Sequence, residues 1–265
     1  MARLAEKGFG LMHIVVPLRQ SPDLVEELQI NAEATDIDRQ AAKLGISEWD
    51  EQALEEALCL KDGSGAKVTV VTAEGGQAEE LLFTALAKGA DRALKLAGDF
   101  SAPMDNHRLA RALADAIGRL GANLVLTGVQ SVEDLDGQVA VLLAAMLGWP
   151  HVSVVTRVEL AGETAQVKQE HSGGVSAELE VRLPAVIGVQ AARRTPRYAP
   201  VSKVRQAQKS AKLERLAVAT DGRSGLRVRR VFKPEAAAQA EMIQGTPEEI
   251  AAKLVAILSE RGLSR

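Results

Sequence analysis

Short apolar runs alternate with longer amphipathic segments over residues 12–150 of the chain. The runs are predicted as β-strands at Met12–Pro17, Ala66–Thr72, Ala93–Leu96 and Leu124–Thr127. The segments between and after them have apolar residues at helical spacing, which gives the order βαβαβαβα. This order predicts an α/β fold with a doubly wound, mostly parallel sheet.

The helix predicted after Ser47 has a regular apolar face. Its apolar positions are Trp49, Ala53, Leu54, Ala57 and Leu58. Glu51, Glu55 and Glu56 fall between them and are expected to face water. Ser47 stands where an N-cap belongs.

The pattern changes from helical to alternating after residue 150. Val152–Leu160, Ala165–Glu170 and Ala177–Leu183 alternate apolar and polar residues, which predicts an antiparallel extension of the sheet. The sequence from Arg193 to Lys209 has no clean period and is predicted as the start of a C-terminal arm.

A final amphipathic helix is predicted from Thr246, a suitable N-cap, with Pro247 at its first position. The chain is accordingly divided into a flexible N-terminal extension at residues 1–11, an α/β domain at residues 12–192, and the arm with its helix at residues 193–265.

The segment Asn123–Pro150 is the strongest candidate for a ligand site. It joins a buried strand through a loop opening on Gly128 to an apolar helix, and a helix N-terminus suits a phosphate. Three acidic residues in the loop, Glu133, Asp134 and Asp136, would repel a phosphate unless they have other roles. Asp136 is predicted as the helix N-cap. The residues alone leave a ligand site and a plain connection both open.

Composition narrows the class of protein. Hydrophobic residues make up 46% of the chain and aromatic residues only 3%, so the core is expected to consist of Ala, Val and Leu, as in helix-on-sheet packing. The single cysteine, Cys59, excludes an intrachain disulfide and a cysteine-cluster metal site. No apolar stretch is long enough to cross a bilayer, and no targeting segment is recognised, so a cytoplasmic location is expected, or the mitochondrial matrix for a eukaryotic source.

Charge is unevenly distributed. The net charge is −3, but Arg193–Lys233 contains 13 basic residues against 2 acidic ones. Such a segment is either a solvated arm or a surface for an acidic partner. A nucleic-acid partner is disfavoured because the rest of the chain is acidic and the basic segment lacks interleaved aromatic residues, with Tyr198 as its single tyrosine.

No catalytic or metal-binding constellation is found. The four histidines are scattered without the spacing that brings two ligands onto one helical face, and phosphate-loop, dinucleotide and nucleophile-elbow motifs are absent. We therefore expect neither catalytic residues nor a metal.

Several ordered motifs resemble the β subunit of electron transfer flavoprotein, including its nitrogen-fixation and bifurcating variants. They are ALEEALCLKD (Ala53–Asp62), TALAKGADRAL (Thr84–Leu94), NLVLTGVQSVEDLDGQ (Asn123–Gln138), LGWP (Leu147–Pro150), HSGG with LPAV (His171–Gly174 and Leu183–Val186) and TPRYAPVSKV (Thr195–Val204). The resemblance extends from Met12 to the final helix.

The resemblance implies an electron carrier and not an enzyme with its own substrate. It implies a heterodimer with an α subunit, a redox-active FAD held mainly by α, and AMP in the β subunit, or a second FAD in bifurcating members. Electrons would come from an acyl-CoA dehydrogenase or related flavin dehydrogenase and pass to a quinone oxidoreductase or similar acceptor. The nucleotide of the β subunit implies that residues 12–192 are a nucleotide-binding domain.

The resemblance also implies which residues contact the nucleotide. These are Val16, Ser47, Asp50, Ala73, Gly128, Gln130, Gly137, Gln138 and Val139. Gly137-Gln138-Val139 replaces the family's Asn-Gln-Thr triplet and lacks its hydroxyl. Backbone N–H groups at these three positions would still bind a phosphate. The sequence leaves AMP and a second FAD open, with AMP preferred.

Arg193–Val201, here called the recognition segment, matches the loop that docks a dehydrogenase in the family. The residues expected to recognise the partner are Arg197, Tyr198, Pro200 and Val201, where Val201 or Pro200 stands for the family's leucine. A small apolar contact with steering charges favours fast and weak encounters. An adenine-nucleotide-binding regulatory protein, using the same glycine turns without a docking segment, is the alternative from another functional class.

Overall fold

The computed structural model describes residues 11–100, 105–134, 137–220, 228–234 and 242–263. The strands are β1 His13–Pro17, β2 Gln20–Pro22, β3 Leu44–Ile46, β4 Lys67–Ala73, β5 Arg92–Ala97, β6 Leu124–Gly128, β7 His151–Ala161, β8 Thr164–Glu170, β9 Ser176–Arg182, β10 Ala185–Val189 and β11 Glu214–Ala217. The helices are α1 Glu48–Ser64, α2 Ala78–Lys88, α3 Asn106–Leu120, α4 Val139–Leu147, α5 Val201–Ser210 and α6 Pro247–Glu260.

A nine-stranded sheet organises the described part of the chain. Its order is β11-β5-β4-β1-β6-β10-β7-β8-β9. The pairs from β11 to β7 are parallel, and β7, β8 and β9 pair antiparallel. This confirms the predicted α/β fold with a mostly parallel sheet and an antiparallel extension.

Two apolar clusters cover the two faces of the sheet. One face packs on α1 and α2 through residues such as Ile14, Leu54 and Leu82, and the other packs on α3 and α4 through residues such as Val15, Leu113 and Leu143. Consecutive residues of β1 therefore belong to opposite clusters, as expected for a central strand buried on both faces.

Two strands, β10 and β11, take positions in the sheet that do not follow their order in the sequence. β10 lies parallel between β6 and β7, although it follows the antiparallel strands in sequence. β11 adds to the other end beside β5. Part of the predicted arm is thus a helix, α5, and a strand of the main sheet, β11, which the missing period of Arg193–Lys209 did not indicate.

The chain divides into two compact units, Met1–Val231 and Phe232–Arg265. The second unit contains α6, which begins at the predicted N-cap Thr246. Thr246 and Glu249 form a capping box: Thr246 Oγ1 accepts a hydrogen bond from Glu249 N, and Glu249 Oε2 accepts one from Thr246 N at 2.9 Å. Residues 1–10 of the predicted flexible extension lie outside the described residues, and the predicted boundaries at residues 12 and 193 stay predictions.

Candidate functional site

Three neighbouring parallel strands end at one edge of the sheet. β4, β1 and β6 lie side by side, and their last residues are Ala73, Pro17 and Gly128. In open α/β sheets, ligands bind outside the carboxyl ends of such strands. The sequence-predicted residues Ala73 and Gly128 are therefore at the edge where a ligand is expected.

Asp50, in the first turn of α1, connects this helix to the edge of the sheet. Its carboxylate is fully buried, and Oδ1 accepts a hydrogen bond of 2.9 Å from the N–H of Gly128. Oδ2 accepts hydrogen bonds from the backbone N and Nε of Arg19, at 2.8 and 2.9 Å. Asp50, predicted as a ligand residue, thus makes protein contacts that fix the position of Gly128.

Arg19 is the residue at this edge that the sequence did not single out. Besides Asp50, its guanidinium binds Asp134 Oδ2 at 2.5 Å and the carbonyl oxygens of Gly128 and Gln130 at 3.2 and 2.9 Å. Burial alone would lower the pKa of Arg19, but the carboxylates of Asp50 and Asp134 raise it. Its position two residues after β1 was the feature of the sequence that could have indicated a place at this edge.

The negative charge of Asp134, in the loop after β6, is stabilised by N–H groups of the loop and by Arg19. Asp134 Oδ1 accepts hydrogen bonds from the N–H groups of Ser131 and Gly137, at 3.1 and 3.0 Å, and its Oδ2 binds Arg19. Burial raises the pKa of Glu133, which favours its neutral form. The loop is therefore less repulsive to a phosphate than its sequence implies. Asp136, the predicted N-cap, lies outside the described residues.

The start of α4 presents backbone donors near the same loop. The first hydrogen bond from the helix interior to the Gln138 carbonyl comes from Leu142 N, at 3.0 Å. The N–H groups of Val139 to Val141 therefore have no acceptor within the helix. Gly137 N donates to Asp134, so of the three N–H groups proposed for the phosphate this one has an acceptor within the loop.

Among the described residues, two hydroxyls at the edge are buried without a hydrogen-bond partner. They are Ser47 Oγ and Thr127 Oγ1. Both belong to residues that are at most 3% exposed. Ser47 is the N-cap residue of α1, as predicted, but its hydroxyl makes no capping hydrogen bond. A buried hydroxyl without a partner is costly, so these two hydroxyls have hydrogen-bonding capacity that the described residues do not use.

Val16 differs from the other predicted ligand residues. Its side chain is fully buried in the apolar cluster with Leu54 and Val70. Any contact with a ligand would involve the backbone of this strand.

Sequence comparison identifies the family to which this chain belongs. A family model described as the electron transfer flavoprotein domain matches residues 35–221. The electron transfer flavoprotein subunit beta of Methylophilus methylotrophus is 33% identical over 262 residues, covering 94% of this chain and 98% of that protein. The chain belongs to the electron transfer flavoprotein β-subunit family.

Other relatives agree over nearly the whole length. Protein FixA of Azorhizobium caulinodans is 34% identical over 268 residues, covering 94% of this chain and 95% of that protein. The electron transfer flavoprotein subunit beta of Bacillus subtilis is 30% identical over 255 residues, covering 93% and 97%. The family consists of electron carriers, so the match confirms the predicted carrier class, with a flavin and an α subunit as the expected associates.

The recognition segment of this β-subunit chain lies against α1. Tyr198 and Val201 are 80% and 59% exposed, whereas the Arg197 side chain binds the carboxylate of Glu55 and also Asp62, at 3.0 Å from its NH2 group. The predicted water-facing orientation of Glu55 and Glu56 was wrong. Both are buried because arginines of the recognition segment reach them.

No helix among the described residues is long and apolar enough to cross a membrane. Within the same residues, no group of three His, Cys, Asp or Glu side chains is placed to hold a metal.

Proposed function

We propose that this chain is the β subunit of a heterodimeric electron transfer flavoprotein with AMP bound at the strand-end edge. The FAD is shared with the α subunit. The electrons come from an acyl-CoA dehydrogenase or related flavin dehydrogenase and pass to a quinone oxidoreductase or similar acceptor. The coarser part of this function, a carrier subunit, follows from family membership.

The observation that carries the nucleotide proposal is the pair of unpartnered buried hydroxyls at Ser47 and Thr127. Ser47 is the N-cap residue of α1, and Thr127 lies in β6, whose following loop leads to α4. The positive dipole end of a helix N-terminus favours an anion. Gly128 supports the same proposal, because a Cβ there would come within 2.6 Å of the Trp49 carbonyl carbon and 2.7 Å of Asp50 N. The close approach keeps α1 against the end of β6.

The protein contributes binding and position to this function. The residues we assign to the nucleotide are Ser47 with its hydroxyl, Ala73, Gly128 and Gln130 at the strand ends, and Gln138 and Val139 at the start of α4. Asp50 and Gly137 support them through the hydrogen bonds to Gly128 N and Asp134. The bound flavin supplies the redox chemistry, and the chain supplies a fixed site and a docking surface.

The experiment counts the nucleotides in the complex. The chain is co-expressed with its α subunit, and the purified complex is denatured with acid to release its nucleotides for separation and quantification. We expect one FAD and one AMP per heterodimer. Two FAD per heterodimer would replace AMP with a second flavin, as in the bifurcating type. A colourless chain that does not combine with α would contradict the proposed function.

A further inference from the structure

A polar stripe on α1 binds the recognition segment. Gln52 is followed by Glu55 and Glu56 at spacings of three and four, which places them on one side of the helix, and Asp62 lies two turns after Glu55. Three of them accept hydrogen bonds from backbone N–H groups of residues 192–197. Gln52 Oε1 accepts from Ala192 N at 2.9 Å, Glu56 Oε2 from Arg193 N at 3.0 Å, and Glu55 Oε2 from Arg197 N at 2.9 Å.

The two carboxylates also bind the side chains of the same arginines. Glu55 accepts hydrogen bonds from Arg197 Nε and Nη2, with a shortest distance of 3.0 Å for each. Glu56 accepts hydrogen bonds from Arg193 Nε and Nη2, at 3.1 and 2.8 Å. Each arginine therefore combines a backbone contact with a paired guanidinium contact, which is the geometrically specific form of this ion pair.

Both carboxylates are out of contact with solvent. Glu55 is 3% exposed and Glu56 is fully buried. A buried carboxylate is stable only when it is paired, so each glutamate requires its arginine to remain in place. The hydrogen bonds that Arg197 donates to Glu55 raise the pKa of Arg197, which keeps the guanidinium charged.

The exposed part of the recognition segment begins directly after the Glu55 contact. Tyr198 follows Arg197 in sequence, and Val201 opens α5 after Pro200. The guanidinium of Arg197 is shared between Glu55 and Asp62 and is therefore directed toward α1. Tyr198 and Val201 remain as the large exposed hydrophobic side chains of the segment.

We propose that Glu55 is a positioning residue for partner docking, and that Arg197 acts through Glu55 instead of contacting the partner. Glu55 sets where Tyr198 and Val201 are presented, although it is itself inaccessible to a partner. This inference rests on the proposed function for the docking role of the segment. Whether Glu55 fixes the position of the segment can be measured separately, without a partner protein.

The test uses the complex with the α subunit and four variants: Glu55→Gln, Arg197→Gln, the double variant, and Glu51→Gln. Glu51 is the matched control because it lies on α1 but binds Lys88 of α2, at 2.7 Å. Hydrogen exchange of peptides covering residues 192–201 reports the placement. We expect exchange there to be about tenfold faster in Glu55→Gln and unchanged in Glu51→Gln.

Docking is measured with an acyl-CoA dehydrogenase, reduced by its acyl-CoA substrate, as the electron donor. Glu55→Gln is expected to raise the KM for the dehydrogenase about fivefold with kcat unchanged, because a displaced segment weakens the encounter and not the transfer. Reduction of the flavin by dithionite, which needs no docking, should be the same in all variants. The double variant should have the KM of the more affected single variant, since both changes remove one contact.

Three results would overturn the proposal. Unchanged exchange in Glu55→Gln would show that Glu55 does not place the segment. Faster exchange with an unchanged KM would show that the placement does not matter for docking. Additive increases in the double variant would show a direct contact between Arg197 and the partner. If dithionite reduces the flavin of the unmodified complex but the acyl-CoA dehydrogenase does not, the proposed electron source is wrong. Hydrogen exchange of residues 192–201 then decides by itself whether Glu55 places the segment.

Discussion

The buried carboxylate of Asp50 binds Arg19 through Nε at 2.9 Å and NH2 at 2.7 Å, and the same carboxylate accepts the N–H of Gly128. One ion pair thus connects the end of β1, the first turn of α1 and the end of β6. The contact also brings Arg19 to Asp134 in the loop before α4. The candidate nucleotide site is assembled around this pair.

Arg19→Met should be strongly destabilising. It leaves the buried carboxylates of Asp50 and Asp134 without their cation, and loss of one partner of a buried pair costs about 3–5 kcal/mol. The free energy of unfolding, measured by urea denaturation, checks this. Arg157→Met is the matched control, because Arg157 pairs with Glu159 on the surface, where such pairs contribute about 0–1 kcal/mol. Equal losses in both variants would contradict the role given to Arg19.

Gly128→Ala should displace the first turn of α1. The new methyl group would lie 2.6 Å from the Trp49 carbonyl carbon and 2.7 Å from Asp50 N, which are backbone atoms that cannot rotate away. We expect a loss of about 1–3 kcal/mol and less bound nucleotide. Thermal unfolding and nucleotide content measure the two effects.

Gly118→Ala supplies the control for this substitution. Gly118 lies inside α3, and a Cβ there meets no atom within 4 Å. Alanine is expected to stabilise this position by about 0.5–1 kcal/mol because it restricts the unfolded chain and favours the helix. Destabilisation by Gly118→Ala equal to that of Gly128→Ala would mean that the close approach to α1 is unimportant.

Ser47→Ala should separate nucleotide binding from stability. The Ser47 hydroxyl is buried without a partner, so removing it is expected to leave the nucleotide-free protein equally stable or slightly more stable. Nucleotide retained through purification should fall, because the ligand loses a hydroxyl contact. Acid release followed by quantification measures retention, and thermal unfolding measures stability.

Ser64→Ala is the matched serine control. Its hydroxyl donates to the Leu60 carbonyl at 2.7 Å at the other end of α1. This variant should lose stability and keep its nucleotide. If Ser47→Ala behaves in the same way, its hydroxyl has a structural role and not the ligand contact proposed.

The unfolding free energy should decrease as the solution becomes more acidic than pH 6.5. Burial lowers the pKa of both His13 and His151 below their ordinary value of 6.5, and the positive charge of Lys67 adds to the effect at His13. The unfolded chain therefore binds protons more readily than the folded chain. This contribution to stability is complete above pH 6.5 and is lost as the pH falls through the folded pKa values.

Urea denaturation between pH 7.5 and pH 5 measures this dependence. The double variant with His13→Gln and His151→Gln should have a flatter curve over this interval. A slope equal to that of the unmodified protein would assign the dependence to other groups.

Sequence patterns were sufficient for the local elements. The helical segment predicted between the strands Ala93–Leu96 and Leu124–Thr127 corresponds to α3, because its apolar period is regular and Asp105 caps its start by accepting a hydrogen bond from Arg108 N. The apolar run of β1 correctly indicated a central strand, since only a strand covered on both faces has consecutive buried residues. The edge formed by Ala73 and Gly128 followed from the same parallel order.

The sequence by itself determined the alternation of strands and helices, because hydrophobic spacing acts over a few residues. Only the tertiary structure decided the insertion of β10, the addition of β11, and the burial of Glu55 and Glu56. Acidic residues on an amphipathic helix are expected to face water unless a cation covers them. The cations that bind these two glutamates, Arg197 and Arg193, are separated from them by 142 and 137 residues. No local pattern contains that information, whereas folding brings the recognition segment across α1 and makes the pairing.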